Sequence, residues 1–199
     1  MKHKMKSQIE AIVIGASAGG IQAISTILSG LPASFQLPII IVLHIPSSHP
    51  STLSKLFKNI VKIDVKEAEE KENIKRGTIY FASPGYHLLI EKDHTFSFSN
   101  EAPVYFSRPS IDVTFESAAW TYGEKLVALL LTGANQDGAN GLRIIKESGG
   151  TTIVQDPAGA EQPEMPRSGL PYVLPENIMS LNQISEYLLK AGQESGKML

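Results

Sequence analysis

Near the amino terminus stands the stretch Ile9-Glu10-Ala11-Ile12-Val13-Ile14-Gly15-Ala16-Ser17-Ala18-Gly19-Gly20, an apolar run that leads directly into a glycine-rich turn. The apolar periodicity of residues 21–28 then indicates a helix. A sharp turn between a strand and a helix needs residues without bulky side chains, because glycine accepts dihedral angles and close backbone approaches that cost other residues energy. The stretch therefore predicts a strand, a tight turn and a helix, with Ser17 at the bend.

Residues 15–19 form a G-x-S-x-G pattern with Ser17 at its centre. In a nucleophile elbow this pattern exposes the serine hydroxyl and directs the following backbone N–H toward the same space. Short Gly/Ser turns before helices also bind phosphate at the helix N-terminus, or bind nothing. By itself the turn leaves catalysis, anion binding and a purely structural role open.

Further apolar runs alternate with helical patterns along the chain. Residues 38–43 and 125–131 are almost continuously apolar, which is typical of strands buried on both faces of a parallel sheet. Residues 86–91 and 95–99 predict an antiparallel hairpin at a sheet edge. Other elements are expected as strands at 61–65, 77–82 and 151–155, and as helices at about 48–60, 109–122 and 183–191, with one more after residue 138. This alternation predicts an α/β fold, a single doubly wound, mostly parallel sheet with helices on both faces and an edge hairpin.

Length and composition fit one domain spanning residues 1–199, with frayed ends at 1–7 and 193–199. A chain of 199 residues can bury most of its apolar surface in one core. The absence of cysteine excludes thiol nucleophiles, cysteine-ligated zinc and disulfides. We expect a cytoplasmic protein that binds no cofactor and no metal.

Charge and hydropathy exclude two classes of partner. The net charge of -2 argues against a protein built to coat nucleic acid, because neutralising phosphates requires a basic face. Lys2, Lys4 and Lys6 are more typical of a solvated tail than of a binding patch. No apolar run approaches the length that spans a bilayer, so we expect no membrane insertion.

Ser17, His44 and Asp137 each follow the carboxyl end of a different predicted parallel strand. These ends lie on one rim of a doubly wound sheet, where such proteins bind ligands. A hydroxyl nucleophile needs a base within hydrogen-bonding reach, and that base needs an anion that fixes its tautomer. A strand-end histidine and a helix-capping aspartate are each ordinary on their own. Their occurrence together with the serine turn favours a Ser-His-Asp triad.

Six short motifs occur in order along the chain, at residues 14–20, 43–46, 83–87, 107–112, 131–139, and 155–157 with 165–167. Over about residues 9–190 they resemble the catalytic domain of the CheB-type chemotaxis protein-glutamate methylesterases. The resemblance implies hydrolysis of glutamate γ-methyl esters on the cytoplasmic helices of chemoreceptors, or of a similar signalling protein. It also implies deamidation of receptor glutamines as a second activity.

The resemblance assigns roles to five positions of this chain. Ser17 would be the nucleophile, His44 the general base and acid, and Asp137 the orienting carboxylate. Backbone N–H groups at Ala18 and Ala134 would form the oxyanion hole. Family members usually have threonine at the first of these two positions and methionine at the second. Backbone donation survives both changes, but any side-chain contribution is lost.

Two other departures concern regulation and loop structure. Asn135 and Gln136 replace the commoner glycine and acidic residue, which alters the loop that carries Asp137. Family members usually carry a receiver domain before the catalytic domain, whereas here the first strand begins within about ten residues of Met1. We therefore expect no receiver domain and no phosphorylation control in cis. The protein would act constitutively, use a separate receiver-domain regulator, or serve a pathway other than chemotaxis.

Other polar residues near these motifs are expected to be structural. His94 should be solvated in the hairpin turn, and His87 should pack beside Tyr86. Arg108 and Asp112, at the start of a predicted helix, are more typical of capping and pairing residues than of substrate contacts. His49 is likewise assigned no role, and Arg167 is left open.

Two rival functions remain. A catalytically weak or inactive interaction module of the same fold is motivated by Ala18 and Ala134. Nucleotide binding at residues 15–20 is disfavoured, because the spacing is not G-x-G-x-x-G and because His44, rather than an acidic residue, ends the second strand.

Overall fold

The computed structural model describes residues 8–45 and 53–196. Its strands are β1 (Ala11–Ala16), β2 (Ile39–Leu43), β3 (Asp64–Glu67), β4 (Thr78–Phe81), β5 (His87–Ile90), β6 (Phe96–Ser99), β7 (Leu126–Leu130), β8 (Thr151–Gln155) and β9 (Ile178–Met179). Its α-helices are α1 (Gly20–Leu28), α2 (Leu53–Lys58), α3 (Ile111–Tyr122), α4 (Ala139–Glu147), α5 (Glu164–Gly169) and α6 (Leu181–Gly196). Over these described ranges, seven strands form one parallel sheet in the order β3-β4-β2-β1-β7-β8-β9.

The sheet is covered by helices on both faces, which confirms the predicted fold class. Alternate residues of β1 enter two separate apolar layers, since successive side chains of a strand point to opposite faces. Ile12 and Ile14 pack in a layer with side chains of α1, α2 and α6. Ala11 and Val13 pack in the other layer, with side chains of α3, α4, α5 and the β5–β6 hairpin. Burial on both faces explains why β1, β2 and β7 are so continuously apolar.

The hairpin differs from its expected place at a sheet edge. Strands β5 and β6 pair antiparallel with each other and form a separate two-stranded sheet. The side-chain hydroxyls of α3 satisfy the outer backbone of β5: Thr114 Oγ1 donates to the Leu88 carbonyl, and Ser117 Oγ accepts from the Ile90 N–H. The hairpin therefore lies on α3 instead of extending the parallel sheet.

Several element bounds differ from the sequence-based expectation. Strand β3 begins at Asp64 instead of residue 61, and the short edge strand β9 was not predicted. Helix α6 continues to Gly196, beyond the predicted end at residue 191, and buried Ser195 donates its hydroxyl to the Ala191 carbonyl inside it. The predicted frayed residues 1–7 and 197–199, the start of the predicted helix at 48–52 and His49 lie outside the described residues. In the described part of the chain, no helix is long and apolar enough to cross a bilayer.

Candidate active site

The three predicted triad residues follow three neighbouring strands. Ser17 follows β1 at the centre, His44 follows β2 on one side, and Asp137 lies in the loop after β7 on the other. The chain fills the sheet from β1 toward β3 and then returns to the opposite side of β1 with β7, so the loops after β1 and β7 flank a topological switch point. Doubly wound sheets bind ligands at such a point.

The turn that carries Ser17 is fixed by its neighbours. The Ser17 N–H donates to the Thr132 carbonyl at 2.9 Å, and Thr132 Oγ1 donates to the Ala18 carbonyl at 2.8 Å. Gly19 adopts the left-handed region at φ 77°, as the turn requires. A β-carbon on Gly20 would lie 2.5 Å from Leu43 Cδ1 and 2.9 Å from Ala16 Cβ, so a larger residue here would displace α1 or the Leu43 side chain. The loop after β7 and the end of β2 together lock the turn.

Ser17 and His44 line one open cavity of about 410 Å³. The wall of the cavity comes mainly from the turn that carries Ser17, the start of α1 and the end of β2, and Glu161 is its one acidic side chain. The lining residues are Ser17, Ala18, Gly19, Gly20, Ile21, Gln22, Leu43, His44, Ile45 and Glu161. Within the described residues, no hydrogen bond joins Ser17 Oγ to the His44 ring. The structure thus places the two side chains at a shared cavity without the direct contact that a triad makes in its reactive form.

His44 makes direct contact with Asp137. His44 Nε2 lies 2.9 Å from Asp137 Oδ2; the histidine side chain is 9% exposed and the aspartate fully buried. Asp137 also accepts hydrogen bonds from Ser110 Oγ at 2.9 Å, from the Ile111 N–H at 2.7 Å and from the Asp112 N–H at 2.9 Å. These donors belong to the N-terminus of α3, where the helix dipole and free N–H groups favour negative charge. The carboxylate is therefore held rigidly against the imidazole.

The orientation of the His44 ring determines which nitrogen acts as base. Asp137 is surrounded by donors and offers Nε2 an acceptor, so the proton of the neutral ring belongs on Nε2. Nδ1 is then the basic nitrogen, and Ser107 Oγ lies 3.2 Å from it. Ser107 and Ser110, which belong to the motif at residues 107–112, are site residues that the strand-end pattern does not predict. The available signal was that two serines flank the Arg108-Pro109 pair within one family-like motif.

Helices α3 and α4 cap each other through two aspartates. Asp137, which precedes α4, accepts from the N-terminus of α3, and Asp112, in the first turn of α3, accepts from the Gly138 N–H at 3.0 Å and the Gly141 N–H at 2.7 Å. Burial raises the pKa of Asp112 from 3.8 to about 6; the Gly141 N–H opposes this increase and the nearby Asp137 charge adds to it. The capping role expected for Asp112 is confirmed, and it acts on α4.

His87 and Arg108, which were expected to be structural, bind backbone groups of residues 100–110, ahead of α3, and make no hydrogen bond to His44 or Asp137 within the described residues. His87 is buried; its Nδ1 accepts from the Ser110 N–H at 3.1 Å, and Nε2 lies 3.1 Å from the Ala102 carbonyl. Arg108 Nη1 donates to the carbonyls of Asn100 at 2.9 Å and Glu101 at 3.0 Å. His87 therefore positions Ser110, and Arg108 ties down the loop that leads to α3.

The two predicted oxyanion donors differ in position. Ala18 lines the cavity. Ala134 is exposed in the loop after β7 and is absent from the lining residues. Within residues 8–45 and 53–196, neither backbone N–H donates a hydrogen bond. Across residues 8–45 and 53–196, no group of three or more His, Cys, Asp or Glu side chains is arranged to hold a metal ion.

Comparison with known proteins gives consistent matches over nearly the whole chain. The family model described as CheB methylesterase matches residues 12–188. A protein from Leptospira interrogans, named a putative protein-glutamate methylesterase/protein-glutamine glutaminase, is 52% identical over 186 residues, which cover 94% of this chain and 96% of that protein. A protein-glutamate methylesterase/protein-glutamine glutaminase of Anaeromyxobacter dehalogenans is 35% identical over 182 residues, covering 92% of this chain and 53% of that protein. The chain thus spans about half the length of this second relative.

A solved structure shows the same architecture. The crystal structure of the Thermotoga maritima CheB methylesterase catalytic domain superposes with a TM-score of 0.86 at 30% sequence identity. The match covers 92% of this chain and 99% of that one.

Proposed function

The chain belongs to the CheB methylesterase family, and from this premise we propose that it hydrolyses γ-methyl esters of glutamate side chains in proteins through Ser17, His44 and Asp137. The observation that carries the proposal is the 2.9 Å contact between His44 and buried Asp137 at the switch point, beside the Ser17 turn. A base held by an anion next to a hydroxyl is the arrangement that nucleophilic ester hydrolysis requires.

The reaction proceeds in two halves. Ser17 Oγ attacks the ester carbonyl while His44 Nδ1 accepts the hydroxyl proton, and the same proton then passes to the departing methoxide oxygen, which leaves as methanol. Water attacks the resulting acyl-enzyme, gives a proton to Nδ1, and releases the glutamate carboxylate as Ser17 Oγ is reprotonated. Asp137 keeps Nε2 protonated and stabilises the imidazolium in both halves.

Ser107 is the competing hydroxyl, since it already lies 3.2 Å from Nδ1. Its backbone N–H and carbonyl are both bonded to Val104, so its own N–H is not free to bind an oxyanion. Ser17 lies between β1 and α1, and both it and Ala18 line the cavity that His44 also lines. We therefore assign Ser17 as the nucleophile.

The Ala18 and Ala134 N–H groups are proposed as the oxyanion hole. Backbone donors suffice for this role, because the developing charge requires only an N–H at hydrogen-bonding distance. Removing one such donor typically costs roughly 3 to 4 kcal/mol of transition-state stabilisation. The alanine side chains at both positions are compatible with this chemistry.

The proposed substrates are methylated glutamates on the cytoplasmic helices of chemoreceptors or of a similar signalling protein in the cytoplasm. The names of both relatives include protein-glutamine glutaminase, which supports glutamine deamidation by the same residues. Regulation by a separate receiver-domain protein is proposed as one of the routes open to this chain.

Methanol release from a methylated receptor-derived peptide tests the proposal. Wild type and the matched control Ser29→Ala, at the exposed serine directly after α1, should release methanol at equal rates. Ser17→Ala should lose at least about a thousandfold in kcat/KM, because the nucleophile and the base act as a unit. Equal rates for wild type and Ser17→Ala would contradict the proposal.

An inactive interaction module is the second candidate. It is favoured by the absence, among the described residues, of a hydrogen bond between Ser17 and His44. It predicts no methanol release, no reaction of Ser17 with fluorophosphonates, and retained binding to receptor helices.

A further inference from the structure

A two-residue turn beside the candidate active site has an unusual sequence. The Val104 N–H donates to the Ser107 carbonyl at 3.1 Å, and the Ser107 N–H donates to the Val104 carbonyl at 2.8 Å. Tyr105 and Phe106, between them, adopt left-handed backbone at φ 47° and φ 61°. This is the type I′ geometry, for which Asn-Gly is the preferred sequence. Bulky residues with positive φ are genuine outliers, so the turn holds two aromatic residues at a conformational cost.

Packing does not offset this cost. Phe106 is 104% exposed and Tyr105 is 47% exposed. Side chains this exposed contribute little hydrophobic stabilisation to the folded chain, because they remain in contact with water. The folded domain therefore gains little stability from having aromatic residues at these two positions. Residues in strained backbone conformations cluster at functional sites, which points to a functional role for the pair.

The turn reaches the catalytic base. Ser107, its last residue, places Oγ 3.2 Å from His44 Nδ1. The aromatic tip is thus covalently adjacent to a residue in contact with the base. On the nucleophile side of the cavity, Ile21 is 45% exposed and lines the wall. Apolar surface is therefore present next to both the proposed nucleophile and the base.

We propose that Tyr105 and Phe106 form a substrate-recognition tip that packs against apolar side chains of the polypeptide flanking the target glutamyl ester; this rests on the proposed function. The ester group is small and reacts inside the cavity, so the polypeptide that carries it must cross the rim. Tyr105 and Phe106 directly precede the residue that contacts His44 Nδ1, and rigid aromatic side chains there provide such a polypeptide with large contact area at low conformational-entropy cost. The tip therefore selects an ester carried on an apolar-flanked segment over the same ester on a small molecule.

The double variant Tyr105→Asn, Phe106→Gly tests this tip. Asn-Gly suits the type I′ turn, so the backbone bonds between Val104 and Ser107 should persist and the melting temperature should stay the same or rise. The probes are a synthetic amphipathic helical peptide with one γ-methyl glutamate, and N-acetylglutamate γ-methyl ester. The variant should lose about tenfold in kcat/KM for the peptide, mainly through KM, since aromatic contacts carry much interface energy. Its rate on the small ester should stay within about twofold of the wild type.

Trp120→Gln is the matched control, because it removes another exposed aromatic side chain, 66% exposed on α3, away from the turn. It should leave both rates unchanged. Equal peptide kinetics for the double variant and the wild type would overturn the inference, as would an equal loss on both esters, which would indicate an effect through His44. Dissociation of a wild-type dimer with unchanged peptide kinetics would assign the tip to self-association and also overturn it. Failure of the wild type to hydrolyse either ester would contradict the proposed function itself.

Discussion

His44 is held at both ring nitrogens, by Asp137 at Nε2 and by Ser107 at Nδ1. The first contact could be predicted, because both residues follow strands that end on one rim. The second could not, because Ser107 is 63 positions away, outside any strand-end pattern, and reaches the base through a turn. The same holds for Ser110 and the α3 amides that hold Asp137, since local sequence does not show which helix N-terminus will face a given carboxylate.

Asp137→Asn should lower both activity and stability. The aspartate accepts from three donors besides His44, and asparagine has only one acceptor oxygen, so its NH₂ group must face a donor. We expect kcat to fall by about 10³ to 10⁴, as for the wrong histidine tautomer in other triads. The free energy of unfolding should fall by about 1 to 3 kcal/mol for the unsatisfied polar group. Steady-state kinetics and urea unfolding measure the two effects, and an active, fully stable variant would contradict the assigned role.

Glu161→Gln should strengthen inhibition by the product. Glu161 lines the cavity, and a β-carbon on Gly19 would lie 2.9 Å from its Oε2, so the carboxylate lies against the nucleophile turn. Hydrolysis converts a neutral ester into a carboxylate, which Glu161 repels. We expect the inhibition constant of the product peptide to fall by roughly two- to fivefold at low salt, with the difference shrinking as salt rises.

Glu164→Gln provides the control, because Glu164 is an exposed acidic residue of the same segment that does not line the cavity. Equal inhibition constants for Glu161→Gln and the wild type at low salt would show that the carboxylate does not act on the product.

The paired N-termini of α3 and α4 hold the site together. Asp137, just before α4, caps α3, and Asp112, in the first turn of α3, caps α4. This arrangement connects the position of Asp137 to the packing of two helices. The sequence indicated both helix starts, and it placed capping residues near them. It did not reveal the exchange of caps, which requires the two N-termini to meet across the β7 loop.

The stability of Asp112→Asn relative to the wild type should increase as pH rises. The pKa of Asp112 is raised to about 6, above its ordinary 3.8, so the native state binds more protons than the unfolded state between these values. The contribution of Asp112 to the free energy of unfolding of the wild type is therefore lost as pH rises from about 4 to about 6. Asparagine keeps the oxygen that accepts from Gly138 and Gly141 but carries no charge. Its free energy of unfolding relative to wild type should increase by about 1 to 3 kcal/mol from pH 4 to pH 7.

Urea unfolding at the two pH values measures this difference, with Asp93→Asn as the control. The hydrogen bond from Thr95 lowers the pKa of exposed Asp93, so the relative stability of that variant should move in the opposite direction. A relative stability of Asp112→Asn that is flat or falling with pH would contradict the burial argument.

At the scale of the whole molecule, the parallel sheet could be predicted because strands buried on both faces are continuously apolar, as β1, β2 and β7 show. The position of Ser17, His44 and Asp137 on one rim could be predicted too, because the strands that they follow run parallel and end at the same edge of the sheet. Strand β9, with two residues, has too little sequence to produce a pattern, and its pairing with β8 depends on the tertiary fold. The separate hairpin sheet packs on α3, whose Thr114 and Ser117 hydroxyls bond the backbone of β5, and this contact between distant segments has no local sequence signal.

The central claim is that Ser17 is the nucleophile that His44 activates, and labelling with a fluorophosphonate tests it most directly. The native protein is treated with the probe, digested, and analysed by mass spectrometry, beside Ser17→Ala and Ser107→Ala. We predict a single adduct on Ser17, absent from Ser17→Ala and retained in Ser107→Ala. An adduct on Ser107, or a wild-type protein that takes up no label, would contradict the claim.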